Sequence, residues 1–213
     1  MISNYLKKNY NYVILNYNDP FRKPVFDKIK NISKLKGSEA YHLYTIVNNL
    51  VKKKKGNLVE VGVCGGNSAQ VICEAKENNP LYLFDTFEGL PEPSMEDKGV
   101  FRKGESCSSE GGVRRRLRKY NNVHIKKGIF PDSASHTEIE KKTFIFVHID
   151  VDIYKSVKEA LQFFYPRMKK GGIILSHDYV GLIGGKKAFD EFFKDKPEQI
   201  IELTGCQCLI IKL

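Results

Sequence analysis

Between Leu58 and Lys212 the chain passes through seven short apolar segments, most of them separated by stretches of helical periodicity. Strands are predicted at Leu58–Val63, Leu81–Thr86, Val123–Lys127, Phe144–Asp150, Gly172–His177, Gln199–Leu203 and Gln207–Lys212, and helices over 67–78, 110–119, 133–141, 153–168 and 185–195. Continuous apolar runs suit strands buried on both faces, so the pattern predicts an α/β fold with a parallel sheet and helices on either side. The last two strands are joined only by Thr204-Gly205-Cys206, too short for a parallel crossover. They must therefore pair as an antiparallel hairpin.

Residues 1 to about 37 are rich in Tyr, Asn and Lys, and Pro20 and Pro24 break any long helix there. They read as an irregular arm. From Ser38 onward, Tyr41, Tyr44, Val47, Leu50 and Val51 share one stripe, which predicts a cap helix over the sheet that ends at Gly56. The chain thus divides into an arm and cap helix, 1–56, and a main domain, 57–213, with self-association through the arm compatible with this layout.

No apolar run approaches the ~20 residues that span a bilayer, and the N-terminal stretch lacks a secretory signal. A cytoplasmic protein with no membrane partner is expected. The five cysteines form no C-x-x-C pair, in keeping with a reduced compartment. Cys206 and Cys208, two apart in an expected strand, should share a face in the core. The net charge of +10 comes mostly from dispersed Lys, which argues against nucleic acid as a partner. Lys52 to Lys55 complement a helix C-terminus. The cluster Arg114, Arg115, Arg116 and Arg118 is either an exposed helix face or a device for steering an anionic substrate.

Chemistry concentrates at strand ends, where open α/β sheets place their ligands. Phe146-Val147-His148-Ile149-Asp150-Val151-Asp152 ends a strand in two carboxylates, and Ile173-Ile174-Leu175-Ser176-His177-Asp178 ends another in metal-capable side chains. Adjacent parallel strands would bring Asp150, His177 and Asp178 together. Glu60-Val61-Gly62-Val63-Cys64-Gly65-Gly66-Asn67-Ser68 is a strand, a glycine turn and a helix start, where free N–H groups suit an anion. Asp85 closes the next strand and can either accept from a ribose diol or cap the following segment. His148 reads as a core residue, and Tyr154 and Tyr179 as packing residues. The long Gly/Pro/Ser-rich connection from Glu88 to Gly112 reads as a mobile substrate lid or simple disorder.

Four motifs occur in order: Phe84-Asp85-Thr86-Phe87-Glu88-Gly89-Leu90-Pro91, Lys127-Gly128-Ile129-Phe130-Pro131-Asp132-Ser133, His148-Ile149-Asp150-Val151-Asp152-Ile153-Tyr154 and Tyr165-Pro166-Arg167-Met168-Lys169-Lys170-Gly171-Gly172. Together they resemble the macrocin O-methyltransferase (TylF-like) family of class I methyltransferases, from about Asn57 to Leu213. The resemblance implies a Rossmann-like fold with a seven-stranded, mostly parallel sheet and an antiparallel last strand. It also implies O-methylation of a sugar hydroxyl on a small-molecule acceptor, using S-adenosylmethionine and a divalent cation, Mg or Mn.

By that resemblance Glu60, Gly62, Gly66 and Ser68 hold the methionine part of the cofactor, Asp85 the ribose, and the Gly128 to Asp132 loop the adenine. Asp150 is implied as a metal ligand and Asp152 as the general base. The family usually has Asp-Asp-Tyr at the fifth strand; here it is Ser176-His177-Asp178-Tyr179. Since Mg²⁺ prefers oxygen ligands, His177 either selects a softer metal, leaves a weakened site on Asp150 and Asp178, or only hydrogen-bonds to a ligand. Three other readings compete: a nicotinamide-dependent Rossmann oxidoreductase, a nucleic-acid methyltransferase, and a catalytically silent cofactor-binding protein.

Overall fold

The computed structural model describes residues 20, 22–30, 35 and 37–213. The rest of the expected arm lies outside the described residues. Strands β1 (Asn57–Val61), β2 (Leu81–Asp85), β3 (Val123–Lys127), β4 (Phe144–Ile149) and β5 (Met168–Ser176) run parallel. β7 (Cys208–Ile211) is antiparallel to both β5 and β6 (Ile201–Glu202), giving the order β3-β2-β1-β4-β5-β7-β6. The chain leaves β1 toward β2 and β3, then returns to the other side of β1 as β4. That reversal opens a crevice at the carboxyl ends of β1 and β4.

Alternation along the strands separates two cores. Leu81 and Leu83 pack with α1 (Lys23–Ile29), α2 (Gly37–Lys53), α3 (Asn67–Ala75) and α4 (Glu110–Leu117), through Phe26, Leu43, Val47, Ile72 and Leu117. Tyr82 and Phe84 face the opposite core with α5 (Tyr154–Phe164) and α6 (Ile183–Phe193), through Leu161, Phe164 and Phe189. Helices therefore cover both faces. None of the described helices is long and apolar enough to cross a membrane.

Four local expectations change. Pro24 sits in the first turn of α1, where its missing N–H costs no hydrogen bond, so it starts a helix within the expected irregular arm. The buried stripe of α2 runs through Leu43 as well as Tyr44, Val47, Leu50 and Val51, while Tyr41 is only half-buried. No α-helix forms over 133–141: His136 adopts φ +58°, only Ala134 and Ile139 are buried, and a single 3₁₀ turn spans Glu138–Lys141. Too few apolar side chains face the core there to hold a helix. Cys206 belongs to the hairpin turn and not to a strand, so the expected shared face is broken: Cys208 is buried and Cys206 is partly exposed.

Candidate active site

Strand register levels the functional residues. Val61 lies opposite Phe84 and Ile149, and Ile149 opposite Ser176. The pairing continues one residue further, with Gly62 N–H donating to Phe84 O, Asp150 N–H to Val61 O and His177 N–H to Ile149 O, each at 2.9 Å. Gly62, Asp85, Asp150, Asp152 and His177 consequently line one cavity of about 310 Å³, together with Gly89, Leu90, Pro91, Gly128 and Phe130.

Gly62 has φ +86°, and a Cβ there would lie 1.7 Å from the Asp150 carbonyl oxygen. Only glycine permits this approach of the β1 and β4 ends. Asp85 braces the same loop: Oδ2 accepts from Val63 N–H at 2.7 Å and Cys64 N–H at 2.8 Å, and Oδ1 from Phe87 N–H at 2.6 Å. The loop-bracing role is thus present, and Oδ1, which accepts a single hydrogen bond, keeps lone-pair capacity for a ligand hydroxyl.

The acids at the ends of β4 and β5 form one electrostatic unit. Asp178 is fully buried; its Oδ2 accepts from Val151 N–H at 2.7 Å and Asp152 N–H at 3.0 Å, fixing the backbone of the β4 turn. Asp152 is held there at φ +60°, a region costly for a side chain with a Cβ. Oδ1 of Asp178 is buried without a hydrogen-bond partner. Burial pushes the Asp178 carboxyl well above the usual carboxylate range, and the charges of Asp150 and Asp152 add to the rise. Burial likewise raises Asp150 to about 6, against the lowering effect of His177, and raises Asp152.

His177 stands between groups. Its Nδ1 is 3.5 Å from Asp150 Oδ1 and its Nε2 is 3.3 Å from Glu39 Oε2. Burial alone would lower the imidazole, but hydrogen bonding with Cys206 and Glu39 and the charge of Asp150 raise it to about 11. Donor atoms of Asp150, His177 and Asp178 lie within 4.8 Å of one another. An orphaned carboxylate oxygen and three acids whose charges oppose one another fit a cation, so the residues present suit the divalent metal that the family pattern implies.

Other expected site residues fall elsewhere. Glu60 is buried next to the carboxyl end of β1, its Oε1 lies 2.8 Å from His148 Nδ1, and it is not among the residues lining the cavity. Gly66 caps the start of α3 at φ +78°, Ser68 is buried in its first turn, and Asp132 is exposed on the loop after β3. None of these three lines the cavity. A Tyr-x-x-x-Lys pair of the kind some nicotinamide oxidoreductases use does exist at Tyr154 and Lys158. Its hydroxyl is engaged by Glu191 at 2.6 Å, outside the cavity lining.

Three residues near the site carry no motif. Glu39 and Cys206 reach His177 from opposite ends of the chain. Asp97, in a 3₁₀ turn (Met95–Asp97) of the long connection, accepts from Tyr154 N–H at 2.8 Å and ties that connection to the start of α5. A buried Glu in an otherwise apolar helix stripe was the one local signal available for Glu39.

Sheet order, the crevice and the glycine turn between β1 and α3 define a class I methyltransferase fold. The model of the macrocin-O-methyltransferase (TylF) family matches residues 37–203, and the chain belongs to that family. The match takes in α2, which the division at residue 56 assigned to a separate cap. A demethyldecarbamoylnovobiocin O-methyltransferase of Streptomyces niveus is 28% identical over 64% of this chain. An 8-demethyl-8-(2,3-dimethoxy-alpha-L-rhamnosyl)-tetracenomycin-C 4'-O-methyltransferase of Streptomyces olivaceus is 26% identical over 64% of it. The matched region spans 58% of each of these relatives. The solved O-methyltransferase NovP shares the fold at TM-score 0.74 and 23% identity, covering 85% of this chain and 82% of that one.

Proposed function

We propose that this chain is an S-adenosylmethionine-dependent O-methyltransferase that also uses a divalent cation, Mg²⁺ or Mn²⁺, and acts on a hydroxyl of a sugar or sugar-containing small molecule. The observation that carries this reading is the convergence of Asp150, Asp152 and His177 on the cavity that Gly62, Asp85 and Gly128 also line. Family membership supports the reaction class. The rhamnosyl acceptor named for the Streptomyces olivaceus relative supports the acceptor class.

S-adenosylmethionine, when bound, supplies a methyl group already activated by its sulfonium. Gly62 and Gly128 would admit it close to the backbone, and Asp85 would accept from its ribose. A divalent cation, held by Asp150 and Asp178 with His177 as third donor, would make a neighbouring hydroxyl more acidic. Asp152 accepts the hydroxyl proton; burial raises its pKa and so makes the carboxylate a stronger base toward a weakly acidic hydroxyl. Leu90, Pro91 and Phe130 supply the apolar wall that limits water.

The test is methyl transfer to a panel of glycosides and phenols with Mg²⁺, Mn²⁺ or EDTA. Cofactor-dependent transfer that EDTA leaves untouched would refute the metal part while keeping the methyltransferase. Asp152→Asn should retain cofactor binding and lose about 100-fold or more in kcat. A near wild-type rate in that variant would remove Asp152 as the base.

A further inference from the structure

Glu39 stands in the first turn of α2 on the face that packs into the core, and only 2% of it is exposed. A carboxylate so placed is costly unless positive charge or donors surround it. Among the described residues, its two oxygens approach His177 and Cys206. Oε2 is 3.3 Å from His177 Nε2, Oε1 is 3.5 Å from Cys206 Sγ, and Sγ is 3.5 Å from His177 Nε2. The triangle joins three elements far apart in sequence: the cap helix, the loop after β5 and the β6–β7 turn.

The size of the triangle is informative. Ligands bound to a tetrahedral zinc ion at roughly 2.0–2.3 Å lie about 3.3–3.8 Å from one another. The closest approaches between the three residues, which involve both carboxylate oxygens, fall in that range, and one donor atom from each lies within 4.8 Å of the other two. A carboxylate, an imidazole and a thiol form a donor set for a borderline cation of the zinc type; Mg²⁺, which wants oxygens in an octahedron, is poorly served by it. With the thiol ionised and the imidazole neutral, two negative charges face a divalent ion.

Two further features belong to the same design. Gly205, at φ +91°, would carry a Cβ 2.6 Å from Glu39 Oε1, so the hairpin turn closes onto this carboxylate only because the residue is glycine. The other ring nitrogen of His177 faces Asp150 Oδ1 at 3.5 Å, the arrangement in which a carboxylate orients a metal-binding imidazole.

We propose that Glu39, His177 and Cys206 form a binding site for a zinc-type divalent cation, separate from the carboxylate pair Asp150 and Asp178, which pins the cap helix to the C-terminal hairpin. A neutral imidazole has one lone pair to give: with Nε2 on this cation, Nδ1–H donates to Asp150, and the site at Asp150 and Asp178 then holds its ion without His177. Neither the methyl acceptor nor the methyl-transfer reaction enters the argument, so the site stands or falls apart from the proposed function.

The experiment uses the full chain, stripped with chelator and titrated with Co²⁺ as the probe. In wild type, one equivalent of the bound Co²⁺ should develop sulfur-to-cobalt charge-transfer absorption with the visible bands of tetrahedral cobalt, displaced by Zn²⁺ and not by excess Mg²⁺, which competes only at the carboxylate pair. Cys206→Ser should lose the charge-transfer band, and Glu39→Gln should weaken binding by about tenfold or more. Asp178→Asn should keep the band, as should the double variant Cys64→Ser, Cys107→Ser, which removes the exposed thiols. Circular dichroism checks that each variant is folded. If Cys206→Ser folds poorly, wild-type protein answers by peptide mapping, because Zn²⁺ should protect Cys206 from iodoacetamide. Absence of the band and of protection in wild type, persistence of the band in folded Cys206→Ser, or its loss in Asp178→Asn would each overturn the proposal.

Discussion

Glu60 and His148 form a fully buried pair, one on β1 and the other on β4, and the pair makes stability depend on pH in a defined way. Burial pushes the Glu60 carboxyl up to about 8 and the His148 imidazole down to about 4, so both are neutral at pH 7 and the acid donates to Nδ1 across 2.8 Å. In the unfolded chain the two titrate near 4.5 and 6.5. The raised acid contributes stability that is complete below pH 4.5 and is lost as pH rises through about 8. The depressed histidine contributes stability that is present above 6.5 and is lost as pH falls through about 4. Between 4.5 and 6.5 the two slopes oppose each other, and above 6.5 the acid's slope is unopposed within this pair.

Glu60→Gln removes the acid's term while its amide can still donate to His148. Each pH unit inside the window is worth about 1.4 kcal/mol, so between pH 5 and 8 wild type should lose about 4 kcal/mol relative to the variant. Terms common to both proteins, including that of His177, cancel in the difference. Urea unfolding followed by circular dichroism at pH 5, 6, 7 and 8 measures it. A stability difference that does not change with pH would refute the neutral-pair reasoning.

Gly62→Ala should destabilise by on the order of 3 kcal/mol or more, since its Cβ would sit 1.7 Å from the Asp150 carbonyl oxygen; thermal unfolding within a degree or two of wild type would contradict the close approach. Lys76 is buried and donates to the carbonyls of Asn79 at 2.9 Å and Asn121 at 2.8 Å, so Lys76→Met should cost about 2–3 kcal/mol in urea unfolding by leaving those oxygens unpaired. Asp97→Ala frees the N–H groups of Tyr154 and Ser94, and should cost about 1–2 kcal/mol and raise the KM for acceptor more than it lowers kcat. Unaltered KM would detach the 3₁₀ turn from acceptor binding.

Legibility in the sequence followed the range of the interaction. The β4 run from Phe144 to Ile149 is buried at every position, so its burial on both faces could be read directly, and the three-residue joint fixed the sense of the last pairing. Asp150, Asp152 and His177 were visible because strand ends place side chains at a common level. Glu60 was harder: an acid near the end of an apolar run looks the same whether or not a buried histidine stands opposite it, as His148 does here. The helix expected over 133–141 fails for a local reason, the left-handed His136 and the polar residues around it. Glu39 offered only its place in an apolar helix stripe and Cys206 offered nothing, since 167 positions separate them and only the folded sheet brings the cap helix to the hairpin turn.

The antiparallel strand β7 lies between β5 and β6, not at the rim. In biosynthetic terms, β5 has no partner on that side until residues 208–211 have been translated and have left the ribosome. Until then the nascent chain displays the Gly172-Ile173-Ile174-Leu175 edge, an apolar strand with open hydrogen-bonding groups, next to the exposed Lys169 and Lys170. A chain cut short before β7 would therefore carry a sticky, incompletely zipped sheet.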